Sequence, residues 1–186
     1  MRLVIYPATE APFTDAVRAA APEVDVVIAN DEDRAAEVIP TAEAFYGMMT
    51  PRLLTSAQKL RWIQTPMAGL ERYLFPDLVE SDVVVTNQQG IFSDVIADHV
   101  MCLVLCFARG LHLSIRAQER RVWLKNFPVI HLADQTAGIV GLGGIGSEVA
   151  RRCATSGMRV VAVDPVKTAK PDFVAELWPS DRLRDM

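Results

Sequence analysis

The chain is poor in the residues that would commit it to several kinds of chemistry. Of its 186 residues, three are cysteines and three are histidines. Cys102, Cys106 and Cys153 have no CxxC or other metal-ligand spacing. No metal site is expected, and a reducing, cytoplasmic compartment suits this usage better than a disulfide framework. Charged residues make up 23% and the net charge is -4. Such a chain offers no basic footprint to a polyanion, so nucleic acid is not an expected partner. Long apolar runs are missing too. The longest, 100–108, lies between His99 and Arg109 and is too short to cross a bilayer, so no membrane is expected. The short run at the N-terminus reads as a strand, because neither a signal-peptide h-region nor a cleavage site follows it. No internal repeat or low-complexity segment is visible.

Instead, short β-branched runs alternate with helical stretches, which is the pattern of a parallel α/β sheet. Strands are expected at 3–6, 24–28, 44–48, 61–64 and 83–86, with helices at 14–21, 33–39, 51–56 and 70–78. A five-stranded flavodoxin-like domain over 1–95 fits. Then the rhythm breaks. One long helix is expected over 93–109, with Ser93 or Asp94 as its N-cap. Its middle is apolar all round, which calls for burial on most sides. A more basic helix is expected over 114–124, its arginines forming a solvated face. A second α/β region, 96–186, follows: a strand at 136–140, a helix at 145–156 and a strand at 158–163. Beyond these come a proline-containing turn, an apolar patch at 173–178 and a helix start at Ser180.

The segment 136–146, TAGIVGLGGIG, carries G-x-G-x-x-G as Gly141, Gly143 and Gly146. Alone, that pattern is weak. Here an apolar strand precedes it, a helix opens within it, and a second strand ends in an acid, Asp164. Gly141 would allow the tight turn, Gly143 the approach of a pyrophosphate, and Gly146 close packing of helix on sheet. The N–H groups of Gly144 and Ile145 would donate to the phosphates at the positive helix end. Asp164 would accept from the adenosine ribose hydroxyls and repel a 2′-phosphate, which favours NAD over NADP. Lys167 lies close by, and its charge weakens that preference.

With these strings in view, the chain resembles the D-isomer-specific 2-hydroxyacid dehydrogenase family. The resemblance is carried by 60–71 (LRWIQTPMAGLE), 85–90 (VTNQQG), 96–100 (IADHV) and 136–146, in the family's order. It implies an α/β chain: a flavodoxin-like substrate domain, then the first half of a Rossmann NAD-binding domain. It further implies a cleft between them that acts on a small 2-keto or 2-hydroxy acid, with NAD as cofactor and NADP possible. The Ala68–Gly69 turn would hold the substrate carboxylate, Tyr46 and Gly47 would face the same cleft, and Asn87 would approach the cofactor. The helix over 93–109 would help form a homodimer. Asp98 departs from the family's usual glutamate, and His99 reads as a packed structural histidine.

The family's chemistry also needs an arginine, a glutamate and a histidine, the last as general acid during hydride transfer. The resemblance puts all three beyond Met186, so no catalytic residue is expected within the chain. His112 and His131 have no carboxylate at a spacing that suggests a dyad. The expectation is therefore the N-terminal part of a dehydrogenase, inactive alone, with a two-stranded Rossmann half that leaves a sheet edge open. A non-catalytic dinucleotide-sensing or scaffold protein on the same fold is the alternative. Another two-domain Rossmann dehydrogenase is a broader one, against which strings 60–71 and 87–100 argue.

Overall fold

A computed structural model describes residues 1–71 and 73–186. They form two compact units, Met1–Gln89 and Gly90–Met186. The sequence reading divides the chain after residue 95, whereas the structure assigns the whole long helix to the second unit.

The first unit is built on five parallel strands: β1 (Arg2–Tyr6), β2 (Asp25–Ile28), β3 (Ala44–Gly47), β4 (Trp62–Gln64) and β5 (Val84–Thr86). Their order is β2-β1-β3-β4-β5, the flavodoxin-like winding. Between them lie α1 (Ala11–Ala20), α2 (Glu32–Val38), α3 (Pro51–Ser56) and α4 (Pro76–Val79). Caps at α2 and α3 are as the residue types suggest. Asp31 accepts from the Arg34 N–H at 2.7 Å, and Thr50 from the Leu53 N–H at 3.2 Å. Val4, Phe45, Ile63, Ile39 and Leu53 are fully buried in one core with Leu78. Each contributes on the order of 1.5–3 kcal/mol.

The helix expected over 70–78 is confined to Pro76–Val79, and Arg72 lies outside the described residues. Proline forces the residue before it out of the helical region. Phe75 is accordingly extended, at φ -85° and ψ 158°, so the helix can start only at Pro76.

In the second unit, α5 (Ser93–Ala108) and α6 (Leu111–Glu119) precede a sheet of β6 (Thr136–Val140), β7 (Arg159–Val163) and β8 (Glu176–Trp178), with α7 (Gly144–Thr155) between the first two strands. All pair in parallel, in the order β6-β7-β8. The third strand corrects the two-stranded expectation. Glu-Leu-Trp is too short to show alternation, and it is held by tertiary contacts. Its register on β7 pairs Glu176 with Val161, its carboxylate meets Arg159, and Arg182 lies 4.3 Å over the Trp178 ring.

Three further expectations change. The N-cap of α5 is Phe92, without a side-chain cap; Ser93 is already the first helical residue. Burial of α5 on most sides is not met within the chain. Ala97 and Met101 pack against Val149 and Cys153 of α7, while Leu103, Leu105 and Phe107 stay exposed. Finally, α6 starts directly after Gly110, which is left-handed at φ 62°, and ends by Glu119. Arg121 there adopts φ 56°, and the Val122 N–H returns to the Ala117 carbonyl, closing the helix as a Schellman turn. Among the described residues no single helix is long and apolar enough to cross a membrane.

Candidate dinucleotide site and substrate-side loops

The turn from β6 to α7 is built by glycines with three different jobs. Gly141 has φ +90°, a conformation L side chains rarely adopt. Gly146 lies so close to the Gly141 carbonyl that a Cβ would stand 1.9 Å from its oxygen. Gly143 has an ordinary φ of -70° and nothing within 4 Å of an added Cβ. Neither backbone conformation nor packing explains a glycine at 143, and open space for a close-approaching ligand does. Gly143, Gly144 and Ile145 are exposed, and Leu142 just before them is fully buried as the plug beneath the loop.

The first helical bond of α7 runs from the Ser147 N–H to the Gly143 carbonyl at 2.9 Å. The N–H groups ahead of it, at Gly144, Ile145 and Gly146, have no helical partner and carry the positive end of the dipole. This fits a pyrophosphate.

Asp164 lies at the end of β7, where the ribose acceptor is expected, but it is 9% exposed and occupied. Its Oδ2 accepts from the Leu142 N–H at 2.7 Å, and its Oδ1 from the N–H groups of Val166 at 2.9 Å and Lys167 at 2.7 Å. The backbone donors of Lys167, Val166 and Leu142, in that order, hold its carboxyl below the usual carboxylate value against the opposing effect of burial. Asp164 therefore clamps the glycine turn to β7, a role that spacing alone does not reveal. Ser93 was also missed as a neighbour of the turn: a Cβ on Gly144 would meet its Oγ at 2.8 Å.

In the first unit, the winding reverses between β1 and β3, the place where open α/β sheets bind ligands. Gly47 ends β3 there with φ +127°, and a Cβ on it would lie 1.7 Å from the Tyr6 carbonyl oxygen. The ring of Tyr46 lies 4.8 Å from that of Phe13 on α1. Past β4, the Ala68–Gly69 turn is exposed. It is braced by the Asn87 amide, which donates to the Ala68 carbonyl at 2.6 Å, and by the Gln88 N–H, which donates to Met67 at 3.0 Å. Glu71 folds over this turn, Oε2 standing 2.7 Å from where a Gly69 Cβ would be.

The histidines fall differently from expectation. His99 is exposed within the chain. His112 Nδ1 lies 3.3 Å from the Cys106 carbonyl. His131 does have a carboxylate, Asp134 at 3.3 Å, but both side chains are about three-quarters exposed, where such a pair contributes little.

A parallel β-α-β unit with an open glycine turn at a helix start defines the phosphate-binding half of a dinucleotide-binding domain. Comparison with known proteins narrows the class. Residues 101–185 match the model of the D-isomer specific 2-hydroxyacid dehydrogenase, NAD binding domain. The D-3-phosphoglycerate dehydrogenase of Archaeoglobus fulgidus is 29% identical over 168 residues, covering 88% of this chain and 32% of that protein. The glyoxylate reductase of Korarchaeum cryptofilum is 27% identical over 150 residues, covering 76% and 45%. A D-isomer specific 2-hydroxyacid dehydrogenase family protein from Aeromonas salmonicida superposes with a TM-score of 0.87 at 25% identity, over 100% of this chain and 60% of that one. The chain is similar to members of that family, and its second unit carries the family's NAD-binding fold over residues 101–185. It spans 32% of the length of the phosphoglycerate dehydrogenase and less than half of the glyoxylate reductase.

Proposed function

We propose that the chain is part of an NAD-dependent oxidoreductase that reduces a small 2-keto acid or oxidises the matching D-2-hydroxy acid. The observation that carries this is the open space at Gly143 above the free N–H groups of α7, within a family-matched NAD-binding segment. Bound there, the cofactor supplies or accepts a hydride. The N–H groups of Gly144, Ile145 and Gly146 hold its pyrophosphate, and Asp164 fixes the turn that presents them. The Ala68–Gly69 turn, held by Asn87, is the seat for the substrate carboxylate. Glu71 must swing away from this turn as the anion enters. The arginine, the general-acid histidine and its glutamate are assigned to the length of the relatives that these 186 residues do not span. Cytoplasmic residence accords with three cysteines that all stay free.

The exposed face of α5 supports a homodimer. Leu103 and Phe107, one helical turn apart, are 48% and 65% exposed, on a helix whose other side is core.

Activity is tested by following NADH absorbance with glyoxylate, hydroxypyruvate and a phosphorylated keto acid, using the protein that carries this chain. NADH binding together with turnover of one of these substrates is the expected result. Tight NADH binding with no turnover of any 2-keto acid would favour a dinucleotide sensor instead.

A further inference from the structure

A turn that holds a carboxylate by backbone N–H groups treats all 2-keto acids alike. What tells them apart is the surface that the rest of the molecule meets. Two methionines supply such surface at the carboxyl ends of adjacent strands in the first unit. Tyr46 and Gln64 are level in the register of β3 on β4. Met48 follows just past the one, and Met67 just past the other, directly ahead of the Ala68–Gly69 turn. Both side chains are 52% exposed, yet their backbones are fixed. The Met48 N–H donates to the Tyr6 carbonyl at 2.9 Å. The Met67 carbonyl accepts from the Gln88 N–H at 3.0 Å and from the hydroxyl of buried Thr65 at 3.2 Å. Met49, by contrast, is buried in the core. The core therefore makes little use of Met48 and Met67, which add adaptable apolar surface beside a polar seat.

The charge at this edge works against another kind of substrate. Among the described residues, the cations in the loops and first helical turns that follow the five strands are Arg34 and Arg52. Each is engaged, Arg34 with Glu37 at 2.8 Å and Arg52 with Asp33 at 2.7 Å. Glu10, Asp31, Glu32, Asp33 and Glu71 share the edge, and Glu71 stands over the turn itself. One substrate carboxylate gains the N–H donors of the turn. A second anionic group on the same molecule meets carboxylates and, among the described residues, no uncommitted cation.

Resting on the dehydrogenase reading above, we propose that Met48 and Met67 are specificity-determining residues that select 2-keto acids with a short, uncharged, apolar tail. The acidic edge rejects tails that carry a phosphate or a second carboxylate. Each methylene that leaves water for the thioether side chains improves capture of the substrate. Glyoxylate has no tail, so it reports on the carboxylate seat alone.

The test is NADH oxidation by the protein carrying this chain, as wild type and as Met48→Ala, Met67→Ala, Met48→Leu, Met67→Leu and Met48→Lys, with circular dichroism confirming the fold. The substrates are glyoxylate, 2-oxopentanoate, 2-oxoglutarate and 3-phosphohydroxypyruvate. Wild type should use 2-oxopentanoate with a kcat/KM at least about tenfold above that for either multiply charged acid. Each alanine variant should lower the 2-oxopentanoate-to-glyoxylate ratio of kcat/KM about tenfold, through KM more than kcat. The leucine variants should keep that ratio, and Met48→Lys should move the preference toward 3-phosphohydroxypyruvate. A wild type that prefers a multiply charged acid overturns the proposal and leaves the dehydrogenase reading standing. So do alanine variants with an unchanged ratio. Failure of folded wild type to turn over any of the four would refute both together.

Discussion

The three motif glycines should be separable by experiment, because only one has a purely ligand-directed reason to be glycine. Consider each changed to alanine. At Gly146 the new Cβ would stand 1.9 Å from the Gly141 carbonyl oxygen and 3.0 Å from its carbon, both backbone atoms. Better helix propensity returns about 1 kcal/mol, but forcing a methyl into a packed site costs about 3 kcal/mol or more. The net loss, about 2 kcal/mol, lowers Tm by roughly 4–8 °C in a protein of this size. At Gly141 the space is open but φ is +90°, so the cost is backbone strain of about 1–3 kcal/mol. At Gly143 neither penalty applies. Replacing a glycine N-cap by alanine costs about 0.5–1 kcal/mol, and the gain of about 0.4–1 kcal/mol from a stiffer unfolded chain offsets it. Gly143→Ala should therefore unfold within about 2 °C of wild type yet bind NADH at least tenfold more weakly, because its methyl occupies the phosphate's approach. Thermal melts followed by circular dichroism, paired with NADH titration, read both quantities on the same samples. If Gly143→Ala binds NADH normally, or is as unstable as Gly146→Ala, the division of roles is wrong.

Asp164 gives a pH signature. Its folded pKa is depressed below the ordinary 3.8, so the stability it adds is fully present above that value and is lost as pH falls through the folded pKa. Asp164→Asn, which has no titratable carboxyl, should flatten the acid limb of a stability-versus-pH curve below about pH 5, and should lower stability throughout because its NH2 must face one of the three N–H donors; an acid limb identical to wild type would refute the clamp. Gly47→Ala places a Cβ 1.7 Å from the Tyr6 carbonyl at φ +127°, and should destabilise the first unit by about 3 kcal/mol or more. An unchanged urea midpoint would show that β1 and β3 part easily there. Phe107→Glu on the exposed face of α5 should convert a dimer to a monomer in analytical ultracentrifugation, and a dimer that survives it would place the interface elsewhere.

How much of this was legible beforehand follows from how local each signal is. The five strands of the first unit were readable because β-branched runs alternate with helices, and the glycine turn because a strand, three spaced glycines and a helix are contiguous. Residues 136–146 also carry the family resemblance, and the match over 101–185 bears it out. Local chemistry failed where neighbours in space decide. Glu176–Trp178 becomes a strand only because β7 offers a free edge and Arg159 a partner for Glu176. The helix expected from residue 70 is cut back by Pro76, a signal that was present in the sequence and outweighed by apolar periodicity. Ser93 looked like a cap, but its position as the first helical residue sends its hydroxyl to Gly144 instead.

The sequence by itself determined the class of the second unit, since a pyrophosphate demands glycines and a helix start in immediate succession. It also marked Asp164 as a residue bearing on cofactor choice. Only the tertiary structure decided what that residue does. The carboxylate is largely consumed by N–H groups from Leu142 and from its own turn. An acid at the end of a strand reads on paper as a free acceptor. Burial and hydrogen bonding make this one a clamp.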